Sequence, residues 1–487
     1  MSVSKRIGAL LLSGAAFGVF ATSAHAAAPS ASTDQIAQRL ADLQQQIDDL
    51  NNTMADLKRG QSAQYADVQN QRAGDIQFSF KNGRFTAKSA DGDFSLATRV
   101  LVQFDAAYYN QDFIPGSGVT PANTDFSSGG NFRRARLGVS GTLFGNWSYE
   151  FMYDLGGSGV EASTVSSAYV QYDGLGQVHL RLGAFPPPES FDDSTSASDL
   201  LFLERAQPAD LGRSIAGSDG RNGAEVFAYD DNYFAAVTYT AGLTGDAATF
   251  DEQQAVVARG AYRFNLGQDI NLAFGADTTY TTKMADSIAG AGSPHLLQLR
   301  ERPELNVDSQ NKRLIDTGAI DASHYWEWGL ETAGNYQNFY GQGGYFHYDV
   351  TRRNSLLTDP DFSGWYAQAS WVITGEAKQY KPERGAYGSP VPVTAFGKGG
   401  VGAWELAVRY SDLNLNFHEG AALTPVAADG IRGGEQKIWT AGVNWYPNSA
   451  IRFVLDYQHT DVTRLNALGG SLNAKLDAVS LRTQLAL

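Results

Sequence analysis

The chain contains no cysteine and only four methionines. Without thiols, a disulfide framework, thiolate metal ligation and cysteine chemistry are all excluded. Long apolar runs are missing too. After the first thirty residues no stretch reaches the roughly 20 apolar residues a spanning helix needs. Positive charge is in deficit, with 37 Lys and Arg against 52 Asp and Glu and a formal charge of −15. A nucleic-acid partner, which selects for a basic face, is therefore not expected. What the 487 residues hold in quantity is Gly (52), Tyr (23) and Phe (26). Mean hydropathy is that of a soluble protein, which a membrane barrel also shows because its strands are only half apolar.

The stretch Asn131 to Asp154, NFRRARLGVSGTLFGNWSYEFMYD, reads as two strands around a turn at Gly145-Asn146. Ala135, Leu137, Val139 and Leu143 alternate with Arg134, Arg136, Ser140 and Thr142; Trp147, Tyr149, Phe151 and Tyr153 alternate with Ser148, Glu150, Met152 and Asp154. Successive strand side chains face opposite ways. One face is thus apolar and aromatic, and the other carries arginines and carboxylates. A soluble sandwich turns the apolar face inward, whereas a membrane barrel turns it to lipid and lines a lumen with the polar set. One hairpin fits both.

The N-terminus has the form of an export signal. Lys5 and Arg6 precede an apolar run from Ile7 to Phe20, and Ala24-His25-Ala26 is a small-x-small cleavage site. Residues 1–26 are expected to be removed, with the mature chain starting near Ala27 and no cysteine there to carry lipid. In 27–60, Ile36, Leu40, Leu43, Ile47, Leu50, Met54 and Leu57 recur at alternating spacings of four and three, an a/d heptad seam. Capped by Thr33 or Asp34 and ended by Gly60, this predicts a helix of roughly 26 residues, about 39 Å long. Two readings fit: a short parallel oligomerisation coil, or a helix lying on its own domain. Residues 61–93 read as a polar linker and then a small periplasmic-side hairpin, 76–80 against 84–87 across Asn82-Gly83.

From 94 to 487 alternation repeats. After a first strand near 94–108, strands are expected at about 132–144, 147–155, 165–173, 177–185, 223–229, 233–241, 253–264 and 270–280. The series goes on at about 324–332, 338–349, 363–373, 401–411, 437–446, 450–460 and 474–487. That is about sixteen antiparallel strands, an even number as bacterial barrels require. Short connections (144–146, 173–176, 230–232, 265–269, 446–449) alternate with long polar ones (110–131, 186–222, 281–323, 412–436). Short turns on one side and long loops on the other mark an outer-membrane barrel, and a sandwich has no reason for them. The stretch 375–400 breaks the rule, being long on the short side. The fold class is therefore an all-β transmembrane barrel preceded by a short α-helical coiled coil. Trp147, Trp326, Trp328, Trp365, Trp371, Trp404, Trp439 and Trp445 lie in strands or at their ends, as interfacial girdles require.

FRRARLGVSGTLFGNWSYEFMYD (132–154) resembles the second and third strands of the phosphate-selective porin O and P family. So do LGAFPPPES (182–190) with FLER (202–205), LRERPE (299–304), SWVITGE (370–376), GAWELAVRYSDL (402–413) and GVNWYPNSAIRFVLDY (442–457). The resemblance covers 76–487 in order. It implies a trimeric sixteen-stranded barrel in outer-membrane lipid and lipopolysaccharide, a third loop folded into the pore, and passage of small anions such as phosphate past an arginine ladder. Carried over by position, that ladder includes Arg99, Arg133, Arg134 and the constriction-loop Arg205, with Arg300 and Arg302 as first members of a loop series. This sequence departs from the phosphate-binding pattern at Asp193, Ser166 and Glu304.

Arg136, Glu150, Asp154 and Asp193 join the expected lumen set. Arg134 and Arg136 have a structural reading beside the functional one, since Glu150 and Asp154 face them and cross-strand pairs are common on polar sheet faces. Arg133 falls on the apolar side by strict alternation, so only a bulge or a rim position brings it into the pore. Asp192, Asp193, Asp199 and Asp210 crowd the constriction loop, as a solvated loop or as groups acting on ions. A barrel hydrolase would need a histidine-activated nucleophile; His179, His347, His418 and His459 sit in no such motif. No catalytic residue, metal site or cofactor is expected. The leading expectation is an anion-preferring diffusion porin. The alternatives are a general or weakly cation-preferring porin, and a barrel serving mainly as an outer-membrane tether whose N-terminal coil reaches toward peptidoglycan.

Overall fold

The structure is a computed structural model and describes residues 33–72, 76–81, 83–113, 125–157, 164–245, 251–267, 269–286, 296–308, 310 and 312–487. The export signal at 1–26 and Asn82 of the hairpin turn lie outside the described residues. The chain divides between Arg72 and Ala73 into two compact units.

The first unit is a helix, α1 (Thr33–Arg72), of 40 residues and therefore about 60 Å long. It runs past Gly60, where the sequence reading ends it, and through most of the expected linker. An interior glycine costs a helix only about 1 kcal/mol relative to alanine, and residues 61–72 contain no proline to break the ladder. Leu40, Leu43, Ile47, Leu50, Met54 and Leu57 are each at least 55% exposed. No helix among the described residues is long and apolar enough to cross a membrane.

The second unit is a closed antiparallel barrel of sixteen strands. They are β1 (Ser95–Phe113), β2 (Gly129–Leu143), β3 (Trp147–Asp154), β4 (Thr164–Leu175), β5 (Val178–Ala184), β6 (Arg221–Tyr229), β7 (Tyr233–Leu243) and β8 (Gln254–Asn265). There follow β9 (Ile270–Lys283), β10 (Ala322–Tyr336), β11 (Phe339–Arg352), β12 (Asp361–Val372), β13 (Ala403–Phe417), β14 (Ile431–Tyr446), β15 (Ile451–Thr463) and β16 (Ala474–Ala486). Each pairs with the next, and β16 closes on β1 from Ala474↔Phe113 to Ala486↔Leu101. All sixteen expected strands are found, each shifted or extended by a few residues. Gln77–Lys81 and Arg84–Lys88 form the expected hairpin, whose second strand joins β1 through Thr86↔Ala97.

Alternation sorts the faces. On β15, Leu455 and Tyr457 point outward and are exposed, while Arg452, Asp456 and Gln458 point inward and are buried. The aromatic residues form two outward bands: Trp404 stacks on Trp445 and Phe339 on Trp371 near the short turns, and Trp365, Tyr410 and Trp439 meet with tilted rings nearer the long loops. Trp439 and Trp445 are six residues apart on β14, as are Trp365 and Trp371 on β12. That is about 20 Å along a strand, close to the height of the apolar band of an outer-membrane barrel.

Among the described residues three connections enter the lumen, one of them between β9 and β10, where the carbonyls of Arg302 and Pro303 accept from Gln436 and Gln458 of the wall. The long loop 185–220 contributes a helical turn (Phe191–Ser194) and a helix, α2 (Gln207–Ala216), with Phe191, Leu200, Leu203 and Leu211 almost wholly buried. The connection 373–402, on the short-turn side, also turns inward. Its Tyr380–Lys381 pairs with Ala386–Tyr387, and Lys378 Nζ lies 3.2 Å from the buried carboxylate of Glu405 on β13.

Candidate functional site

The loop 185–220 is held in part by its main chain. Its carbonyls accept hydrogen bonds from side chains of the barrel wall: Ala197 from Gln103 (2.8 Å), Ser198 from Gln484 (2.9 Å), Leu201 from Asn444 (3.0 Å), Leu203 from Arg482 (2.6 Å) and Glu204 from Arg409 (3.0 Å). The N–H of Leu203 donates in return to Asp456 (3.2 Å). Main-chain groups carried inside a barrel need such partners, because an unsatisfied buried carbonyl or N–H costs about 1–3 kcal/mol.

Where the loop meets β1, β2 and β16, charges collect. Arg133 donates to Glu204 (2.7 Å), and Arg134 and Arg482 approach the same carboxylate at 3.8 and 3.3 Å. Arg482 also forks onto Asp105, at 2.6 Å for each bond. Three guanidinium groups thus share two carboxylates. Burial alone would raise the Glu204 carboxyl, but Arg133, Arg134 and Arg482 outweigh it and hold it well below the usual carboxylate range. Arg133 reaches this cluster through a bulge: Gln103 faces Arg134 and Phe104 faces Phe132, so Arg133 is the extra residue in β2.

A second set forms a chain of alternating sign. Arg136 lies between Asp154 (2.7 Å) and Asp219 (2.5 Å), Arg213 between Asp219 (3.1 Å) and Asp193 (2.5 Å), and Arg205 is 3.6 Å from Asp193. Burial opposes charge on Asp219, yet Arg136 and Arg213 keep its carboxyl far below the ordinary range. Three arginines and three aspartates make this chain neutral. It fastens the loop to β2 and β3.

The other expected residues fall as follows. Arg205 donates to the carbonyls of Asp192, Asp193 and Thr195, so it braces the loop from within. Arg99 on β1 is the most exposed of the strand arginines placed in the lumen by sequence, with Glu150 loosely opposite at 3.8 Å. Arg300 and Arg302 sit in the long connection between β9 and β10, where Arg300–Glu301 pairs with Ile315–Asp316. Ser166 on β4 is buried and bonds a strand carbonyl. Glu304, a departure that favours cations when read from sequence, is buried: Gln207 N–H (2.8 Å), Ser411 (2.6 Å) and Arg409 (2.5 Å) all donate to it. It sits where a carboxylate complements the free N–H groups at the start of α2. Arg409, Arg452 and Arg482 were missed as parts of the site. Alternation gave no sign that these arginines would grip a loop more than 200 positions away in sequence. Among the described residues no His, Cys, Asp or Glu side chains are grouped to hold a metal ion.

Comparison with known proteins bears on what this pore is. The profile of the family described as "Phosphate-selective porin O and P" matches residues 100–487. The chain belongs to that family. It is 25% identical to Porin O of Pseudomonas aeruginosa over 407 residues, 79% of this chain and 86% of that one. It is 28% identical to an uncharacterised protein of Caulobacter vibrioides over 367 residues, 73% of this chain and 68% of that one. Among solved structures, an anion-selective porin from Comamonas acidovorans superposes with a TM-score of 0.49 at 14% identity, covering 81% of this chain and 100% of that one. The DcaP channel of Acinetobacter baumannii gives 0.44 at 11% identity, covering 82% and 99%. As a member of the porin O and P family, this protein is an outer-membrane porin.

Proposed function

We propose that this porin passes small anions in preference to cations, with phosphate-type oxyanions as the solute class. The imbalance at Glu204 carries the reading: Arg133, Arg134 and Arg482 face Glu204 and Asp105, while the two acids that argue for cations are engaged elsewhere, Asp193 by Arg213 and Glu304 by Arg409. Excess positive charge in a narrow low-dielectric passage raises the local anion concentration. A guanidinium stays charged at any working pH, and its fork matches oxyanion geometry. The family description and the Porin O relative support the same class. Reversal potentials in planar bilayers under a KCl gradient test it. The wild type is expected to favour chloride, and Arg133→Gln to reduce that preference about tenfold, since one unit charge at ~6 Å in water-like surroundings acts about threefold on each ion and in opposite senses. A wild type that favours potassium would leave the weakly cation-preferring porin as the better reading.

We infer further that the channel is a homotrimer. Strands β3 and β5 have 8 and 7 residues, short of the roughly 9–11 a spanning strand needs. Phe151, Leu180 and Leu182 stand exposed on that wall, where a second copy would cover them. The remaining wall meets lipid and lipopolysaccharide. The open heptad seam of α1 supports a parallel coil on the periplasmic side, in reach of peptidoglycan, after removal of residues 1–26. Deleting 33–72 should lower the temperature at which the trimer dissociates on semi-native gels; an unchanged temperature argues against a coil. N-terminal sequencing of the exported protein checks the cleavage.

A further inference from the structure

The connection 373–402 sends only its middle into the lumen. After Tyr387, which is buried, it turns back toward the start of β13 and runs along the outside of the wall. Phe396 sets its edge against Trp445, with centroids 5.4 Å apart and planes at 82°. The N–H of Phe396 donates to the carbonyl of Pro447 in the β14–β15 turn (2.8 Å). The carbonyl of Val401 accepts from the indole N–H groups of Trp445 (2.9 Å) and Trp404 (3.3 Å). Both indoles belong to the outward aromatic band on the short-turn side, and a buried or interfacial indole N–H needs such an acceptor. A segment that packs on these rings and takes up their N–H groups is outside the wall, at the depth of the band. Its loop is narrow, for an added Cβ at Gly400 would collide with the carbonyl of Thr394.

The apolar side chains of this segment are left open. Val393 is 87% exposed, Phe396 59% and Val401 61%. In a chain of formal charge −15, residues 388–402 contain no acid and one charged side chain, the exposed Lys398. Grouped apolar side chains of this kind mark a contact with protein or membrane. Protein is disfavoured by position: β13 and β14 stand nearly opposite β3 to β5 in the closed ring of sixteen strands, and that far wall is the one proposed above to meet a second copy. Lipid is favoured by continuity, because the segment extends the aromatic band that already marks the membrane boundary. It is also favoured by charge, since a lone lysine between apolar anchors suits a phosphate headgroup.

We propose that the segment 393–401 is an interfacial anchor for phospholipid of the inner leaflet of the outer membrane. Phe396 and Val401 enter the edge of the hydrocarbon, and Lys398 between them extends its stem along it and its ammonium to a lipid phosphate. The leaflet follows from the short-turn side being periplasmic. The anchor rests on the outer-membrane placement of the barrel and is independent of the ion the channel prefers. Because the chain has no cysteine, single-cysteine variants of the full-length protein can be labelled without background. Nitroxide-labelled Phe396→Cys, Val401→Cys and Lys398→Cys, in vesicles of phosphatidylethanolamine and phosphatidylglycerol, are compared for relaxation by oxygen, which concentrates in hydrocarbon, and by a water-soluble nickel chelate. Leu406→Cys on the lipid face of β13 and Leu356→Cys in the exposed β11–β12 loop give the two limits. Relative to Leu356→Cys, labels at 396 and 401 should lose nickel relaxation and gain oxygen relaxation, to the level of Leu406→Cys, and the label at 398 should fall between the limits. Nickel relaxation at 396 and 401 equal to that at 356 would put the segment in water and overturn the anchor. Shielding from both reagents, or line broadening between labels of neighbouring copies, would overturn it too, since either means that protein covers the segment. Should Phe396→Cys fail to assemble, as judged by heat-modifiable migration, Val401→Cys decides alone.

Discussion

The guanidinium of Arg133 reaches Glu204 only because β2 carries one residue more than β1 opposite it. Sequence alternation assigned Arg133 to lipid and named the condition under which it would turn inward, and the bulge meets that condition. Glu304 and Asp193 teach the opposite lesson. Both look like acids introduced into an anion path, and both turn out to be buried partners of arginines that the sequence left unassigned. Breaking a buried pair by removing one member costs about 3–5 kcal/mol, since the other charge is left uncompensated. Glu304→Gln is therefore expected to loosen the start of α2 and lower the melting temperature of the barrel, with no loss of anion preference. Differential scanning calorimetry alongside reversal potentials separates this from a selectivity role, which would shift the potential and spare the melting temperature.

Loops and helices were less legible than strands. Strands announce themselves by a period of two, which a half-buried sheet imposes on every residue. A loop folded inward has no period, and its pairings, such as Arg300–Glu301 with Ile315–Asp316 or the turn at 382–385, join residues by geometry rather than by pattern. The end of α1 was misplaced for a related reason: one glycine is a weak stop when nothing after it prefers another conformation. One loop group gives a pH signature. Burial pushes the carboxyl of Glu301 up to about 8, and Asp210 on α2 adds to the shift against Arg313 and Arg302. Its folded value lies above the ordinary one, so the proton is kept below about pH 8 and lost above it. The loop is most stable on the acid side, and raising the pH from 7 to 9 adds a negative charge beside Arg302 and Arg313. Anion preference should fall over that interval in the wild type and fall less in Glu301→Gln. A flat wild-type profile would show that this carboxylate does not act on the permeating ion.

At the scale of the whole molecule, the number of strands, their order and the side on which long loops lie were all readable. Each follows from lipid on one face of the wall and a polar lumen on the other. The partners across the lumen were not readable, because alternation tells which way Arg409, Arg452 and Arg482 point and nothing of what they will meet. Each of them meets main chain of the constriction loop as well as side chains. The wall holds the constriction loop through the carbonyls of Ala197, Ser198, Leu201, Leu203 and Glu204, groups that every residue possesses. The side chains of Ala197 and Ser198, which grip no wall residue themselves, can then be exchanged while the clamp stays in place. At those positions the barrel works as a socket that accepts a changed surface without the wall being rebuilt.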